Sequence, residues 1–81
     1  MTEAQVLAAF AGVVRRLAGD PSLPVTREHD LMELGTLDSL RLLEAIALTE
    51  AACGVEIDAA GLSGLLTVDD LIRAMLAGRP L

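Results

Sequence analysis

Asp38-Ser39-Leu40 is the stretch of this chain best suited to carry chemistry. A serine on the first turn of a helix sits where unpaired backbone N–H groups and the positive end of the helix dipole converge. A phosphate bonded to its hydroxyl is stabilised there. The Ser39 hydroxyl is expected to face water, so it can become a phosphodiester at little structural cost. Asp38 caps the helix and adds a carboxylate able to assist a partner enzyme's metal ion. Aspartate and serine are also among the best residues for starting a helix, so the pair alone implies no more than a cap. The other candidates are weaker. His29, Asp30 and Glu33 stand close together, but capping and solvation account for them, and no metal site is expected. Cys53 falls on the inward face of a predicted helix, where a structural thiol is expected rather than a nucleophile. No Gly-rich loop precedes a helix in the spacing that cradles phosphates. Without an acid–base pair or a metal cluster, no catalytic residue is expected and the chain does not read as an enzyme.

The composition narrows what can position Asp38 and Ser39. The chain has 81 residues, with 53% hydrophobic and 1% aromatic. Leucine and alanine dominate, and both favour helix over strand. One small all-α domain over residues 1–81 is expected. One Cys and one His exclude a disulfide framework and the usual zinc sites. No run approaches the ~20 apolar residues that span a bilayer. Glu3 ahead of the apolar run and Arg15-Arg16 after it are the reverse of a secretory signal, so a cytoplasmic setting is expected. The net charge of −6, with no lysine, argues against nucleic acid. Eight acids and one arginine fall within residues 28–58. That concentration predicts a negative field favouring basic partners.

Periodicity divides the chain into four helices. Thr2 and Gln5 form a capping box for a first helix whose Val6, Phe10, Val13 and Leu17 share one face, widened by Leu7 and Val14. Gly19 and Pro21 stop it. Residues 19–37 form a long connection pinned by Leu23, Val25, Leu31, Leu34 and Leu37, with Asp30 and Glu33 capping a single turn. The second helix starts at the Asp38 cap and stops at Gly54. Leu42, Leu43, Ile46, Thr49 and Cys53 are assigned to the core. Leu40, Glu44, Ala47 and Ala51 are assigned outward, with Arg41 and Leu48 at the edge. Val55 and Ile57 are pegs, and Asp58 caps a short third helix weakened by Gly61 and Gly64. Thr67 caps the last helix, with Val68, Leu71, Ile72, Met75 and Leu76 as its stripe, ended by Gly78 and Pro80.

The order of these features resembles the acyl carrier protein family, including its aminoacyl- and peptidyl-carrier branches. The residues that carry the resemblance are Leu34-Gly35 ahead of Asp38-Ser39-Leu40, then Leu43 and Glu44, the exit from Gly54 to Ile57, and Thr67-Val68. The resemblance implies a four-helix carrier bundle with three longer helices, a short third and a long first loop. It implies that Ser39 receives 4′-phosphopantetheine from coenzyme A through a phosphopantetheinyl transferase and Mg²⁺. The arm's thiol then holds acyl or aminoacyl cargo as a thioester for downstream enzymes. Leu40, Arg41, Glu44, Ala47, Leu48 and Ala51, with Leu62 and Leu65 of the third turn, would form the docking face of a monomeric carrier. Thr36 and Leu37 separate Gly35 from Asp38, and the second helix is weakly acidic. Both features are similar to D-alanyl carriers and free-standing aminoacyl or peptidyl carriers, which implies loading by an adenylating enzyme in amino-acid-derived or secondary-metabolite biosynthesis. A helical interaction module without a prosthetic group explains the periodicities equally well, but not the placement of Asp38-Ser39-Leu40.

Overall fold

The computed structural model describes residues 1–35 and 37–81; Thr36, within the expected first loop, lies outside the described residues. The chain forms α1 (Glu3–Ala18), a single 3-10 turn (Leu31–Glu33), α2 (Ser39–Cys53), a two-residue strand β1 (Val55–Glu56), α3 (Ala59–Ser63), α4 (Val68–Leu76) and β2 (Arg79–Pro80). The helical architecture is as expected, with α3 the short element. The ribbon of β1 and β2 was not. It pairs Val55 with Pro80 and Glu56 with Arg79 antiparallel, and the Leu81 N–H donates to the Gly54 carbonyl at 3.0 Å.

α1 begins with the expected capping box. The Thr2 hydroxyl accepts from the Gln5 N–H at 3.2 Å, and the Gln5 side chain accepts from the Thr2 N–H at 2.8 Å. Val6, Phe10, Val13 and Val14 are buried, and α1 packs against both α2 and α4. The core is completed by Ile46 of α2, Ile57, and Val68, Leu71, Ile72 and Met75 of α4. The α4 stripe is one residue narrower than expected, since Leu76 is exposed. Thr67 caps α4 in a box with Asp70, whose carboxylate accepts the N–H groups of both Thr67 and Leu66 at 3.0 Å.

The long loop is docked rather than free. Val25, Leu31, Leu34 and Leu37 are buried as pegs. Its backbone runs antiparallel to the entry of α4. The Leu31 N–H donates to the Leu66 carbonyl, Val68 to His29 and Asp69 to Arg27, each at 2.9 Å. Two of the orphan donors of α4 are thereby satisfied by loop carbonyls. Arg27 adds an ion pair to Glu3 at 2.9 Å and another to Asp69. Asp30 does not cap with its side chain as expected. Its backbone is extended to bridge Thr67, and its carbonyl accepts from Glu33 instead. Gly61, expected only to weaken α3, has a packing reason. A Cβ there would lie 2.7 Å from Ile57 Cγ2.

Candidate functional site

The entry to α2 is built from the chain immediately before it. Leu34 and Leu37 are buried, and they pin the backbone leading to the helix tip. Asp38 is extended, with φ −86° and ψ 179°, and its carboxylate accepts the Arg41 N–H at 2.8 Å. Its carbonyl accepts the Leu42 N–H at 2.9 Å, the first bond of the helix. Ser39 is the first helical residue and is exposed. The helix itself provides no acceptor for the N–H groups of Ser39 and Leu40, which lie in its first turn. A phosphodiester on the Ser39 oxygen fits this site, with room in water and the positive end of a 15-residue helix beside it.

The chain has two other serines, and both spend their hydroxyls locally. Ser22 donates to the Asp20 carboxylate at 2.8 Å, and Ser63 donates to the Ala60 carbonyl at 2.9 Å. Neither opens a helix.

The face of α2 beside Ser39 is more apolar than expected. Leu40, Arg41, Glu44, Ala47, Leu48 and Ala51 are all exposed. Leu43, expected in the core, is instead 60% exposed, against 77% for Leu40 and 44% for Leu48. At about 100° per residue, Leu43 lies ~120° around the helix from buried Thr49 and only ~40° from Ser39. Ala45 takes the core place instead, because the buried arc of α2 runs from Ala45 through Thr49 to Ile46. Helical-wheel angles around Thr49 would have found this. Leu62 is exposed, whereas Leu65 is half-buried and packed against the core, so it offers less surface than expected. An open groove of about 390 Å³ between α2 and α3 is lined by the apolar Ala47, Ala51, Ile57, Leu62 and Leu81 and by the acids Glu50 and Glu56.

Carboxylates remain around this face, with Asp38 and Glu44 exposed and Glu50 and Glu56 lining the groove. Asp38 and Asp58 are helix caps. Glu50 accepts the Ile57 N–H at 2.8 Å, fixing the turn out of α2. Glu44 is the remaining carboxylate of α2. Arg41, beside it, also reaches back to the Leu17 carbonyl at 3.3 Å, closing the end of α1.

The other candidates have structural duties. His29 accepts the Thr26 N–H on Nδ1 at 2.9 Å, holding a turn. Cys53 is half-buried, and burial pushes its thiol pKa up, away from the reactive thiolate. No helix among the described residues is long and apolar enough to cross a membrane.

Known proteins are similar to this chain in sequence. Residues 5–75 match a family profile described as a phosphopantetheine attachment site. The chain is 31% identical over 71 residues to a meromycolate extension acyl carrier protein of Mycolicibacterium smegmatis, covering 88% of this chain and 72% of that protein. It is 29% identical over 72 residues to the protein of the same description from Mycobacterium leprae, covering 89% of this chain and 63% of that protein. It is 32% identical over 72 residues to an acyl carrier protein of Thermobifida fusca, covering 89% of this chain and 91% of that protein.

Proposed function

The chain belongs to the phosphopantetheine-binding acyl carrier protein family, and from that membership and the geometry of α2 we propose that Ser39 is its attachment residue. Members of this family are non-catalytic carriers with a covalently attached 4′-phosphopantetheine. The group supplies a thiol on a flexible tether, where cargo is held as a thioester and successive encounters become local ones. The observation that carries the assignment is the contrast among the serines. Ser39 alone is an exposed residue opening a long helix, whereas Ser22 and Ser63 have their hydroxyls bonded within the chain.

The residues of the chain divide the work. Ser39 presents its oxygen to a phosphopantetheinyl transferase. The first turn of α2 stabilises the resulting phosphate through its N–H groups and dipole. Asp38 holds that turn in shape and offers its charge to the transferase's Mg²⁺. Leu34 and Leu37 keep the helix tip fixed while the arm swings. Cys53, with its raised pKa, does not compete with the arm's thiol for cargo. Leu40, Arg41, Glu44, Ala47, Leu48 and Ala51, with Leu62 and the edge of Leu65, form the docking face for the transferase, the loading enzyme and the enzymes that follow.

The spacing of Gly35 to Asp38 and the weak acidity of α2 support aminoacyl or secondary-metabolite cargo, loaded by an adenylating enzyme in the cytoplasm. The relatives support a second reading, acyl cargo, since their names describe acyl carriers. Labelling with a fluorescent coenzyme A, Mg²⁺ and a broad-range transferase tests the assignment. The wild-type chain is expected to take the label, and a folded Ser39→Ala variant is expected to stay dark. Label on the variant overturns it. The holo form is then offered to adenylating enzymes with amino acids or with fatty acids. Aminoacyl thioester supports the first reading, and exclusive fatty-acyl loading replaces it with the second.

A further inference from the structure

Residues 78–81 fasten the least buried helix of the fold. α3 has no buried residue. Of the described residues from Gly54 to Thr67, Ile57 alone is buried. The far end of this segment is pinned by half-buried Leu65 and by Leu66. The Leu66 carbonyl accepts the Leu31 N–H at 2.9 Å, and its N–H donates to the Asp70 carboxylate at 3.0 Å. The near end has two ties besides the Ile57 side chain. The Glu50 carboxylate accepts the Ile57 N–H at 2.8 Å. The second tie is a strap, formed by the pairing of β2 with β1 and by the Leu81 N–H bond to the Gly54 carbonyl. The strap is closely seated. A Cβ on Gly78 would lie 2.9 Å from the Glu56 carbonyl oxygen and 3.2 Å from that of Met75. Its residues Arg79, Pro80 and Leu81 are nevertheless exposed, so its backbone bonds lie within reach of water.

Sparse burial and solvent-exposed backbone bonds mark the segments that open before a whole fold does. β1, α3 and β2 meet both conditions, whereas α1 and α4 bury wide apolar stripes. β1 leads through Ile57 and Asp58 directly into α3, so pairing of β1 with β2 holds the near end of α3 in place. We infer that β1, α3 and β2 are one cooperative unit that opens while α1, α2 and α4 stay packed, and that the strap is its catch. α3 is one wall of the groove beside α2, so release of the catch widens that groove. The device belongs to the fold whether or not Ser39 is modified.

Amide hydrogen exchange of the full chain, read residue by residue by NMR, tests this. The N–H groups of Leu62 and Gly64, bonded to Asp58 and Gly61, and that of Leu81 are expected to show similar protection. That protection is expected to lie at least about tenfold below that of Val14 in α1. Gly78→Ala pushes the strap off Glu56, and Leu81→Pro removes the bond to Gly54. Each variant is expected to lower the protection of Leu62 and Gly64 about tenfold, and Gly78→Ala to lower that of Leu81 by the same factor. Circular dichroism checks that the helices persist. Unchanged protection of Leu62 and Gly64 in either folded variant overturns the inference, because the strap then opens by itself. Wild-type protection of Leu62 equal to that of Val14 also overturns it, because α3 then opens only with the entire fold. Loss of the whole fold in both variants has the same meaning.

Discussion

Asp38 has two duties, and a pair of substitutions separates them. Its carboxylate accepts the Arg41 N–H at 2.8 Å and places negative charge at the start of α2. Asp38→Ala removes both. Losing a cap of this kind costs about 1 kcal/mol, with a range of about 0.5–2. The exposure of Asp38 keeps the loss within that range, since the freed N–H reaches water. In a domain of this size each kcal/mol moves the melting midpoint by about 4–8 °C. Asp38→Asn keeps an acceptor of the same reach and is expected to stay within a few tenths of a kcal/mol of wild type, since asparagine and aspartate cap about equally well. The transferase separates the second duty. Asp38→Asn folds but has no charge to offer Mg²⁺, so its labelling is expected to slow about tenfold or more. Thermal melts followed by circular dichroism read the first effect, and initial rates of labelling read the second. An Asp38→Ala protein that melts with wild type refutes the cap. An Asp38→Asn protein labelled at the wild-type rate refutes the role of the charge.

Other perturbations have equally definite outcomes. Gly12 lies inside α1, and a Cβ there meets nothing within 4 Å, so Gly12→Ala is expected to stabilise the fold by about 0.5–1 kcal/mol in a denaturant titration. Gly61→Ala is expected to destabilise it, because the new Cβ would sit 2.7 Å from Ile57 Cγ2; a rise in midpoint would contradict that contact. The Arg27 guanidinium holds the Glu3 carboxyl below its ordinary value of 4.5, and N–H groups of Thr67 and Leu66 hold Asp70 below 3.8. Both groups bind protons less readily folded than unfolded. Their contribution is therefore complete above about pH 4.5 and is lost as pH falls through the lowered values. Melting midpoints taken down to pH 3 are expected to fall in that window, and to fall less steeply in Asp70→Asn. Cys53, with its thiol pushed up by burial, is expected to react with iodoacetamide at pH 8 more slowly than a free cysteine; equal rates would contradict its burial.

Much of this architecture is legible in local sequence. Caps at Thr2, Asp38, Asp58 and Thr67 mark where helices begin, because a side-chain oxygen three residues ahead of a free N–H is a local geometric requirement. The pegs of the first loop are legible as well, since apolar residues in a polar connection have nowhere else to go. What is not legible depends on pairing across the chain. The β1–β2 ribbon joins residues more than twenty positions apart through backbone bonds that carry no side-chain signature. The Arg27 bridge from Glu3 to Asp69 is of the same kind. Leu43 shows a third limit. A leucine beside buried residues looks like core until the width of the partner surface is known, and α2 buries only the arc around Thr49. The same misplacement concealed that a further exposed leucine flanks Ser39.

The assignment of Ser39 is tested most directly by intact mass and fragment-ion mapping after the unlabelled chain is incubated with coenzyme A, Mg²⁺ and a transferase. The account predicts a gain of one phosphopantetheine, borne by the peptide that contains Ser39 and by neither the Ser22 nor the Ser63 peptide. A folded chain that gains no mass, or that gains it at either of those serines, contradicts the account.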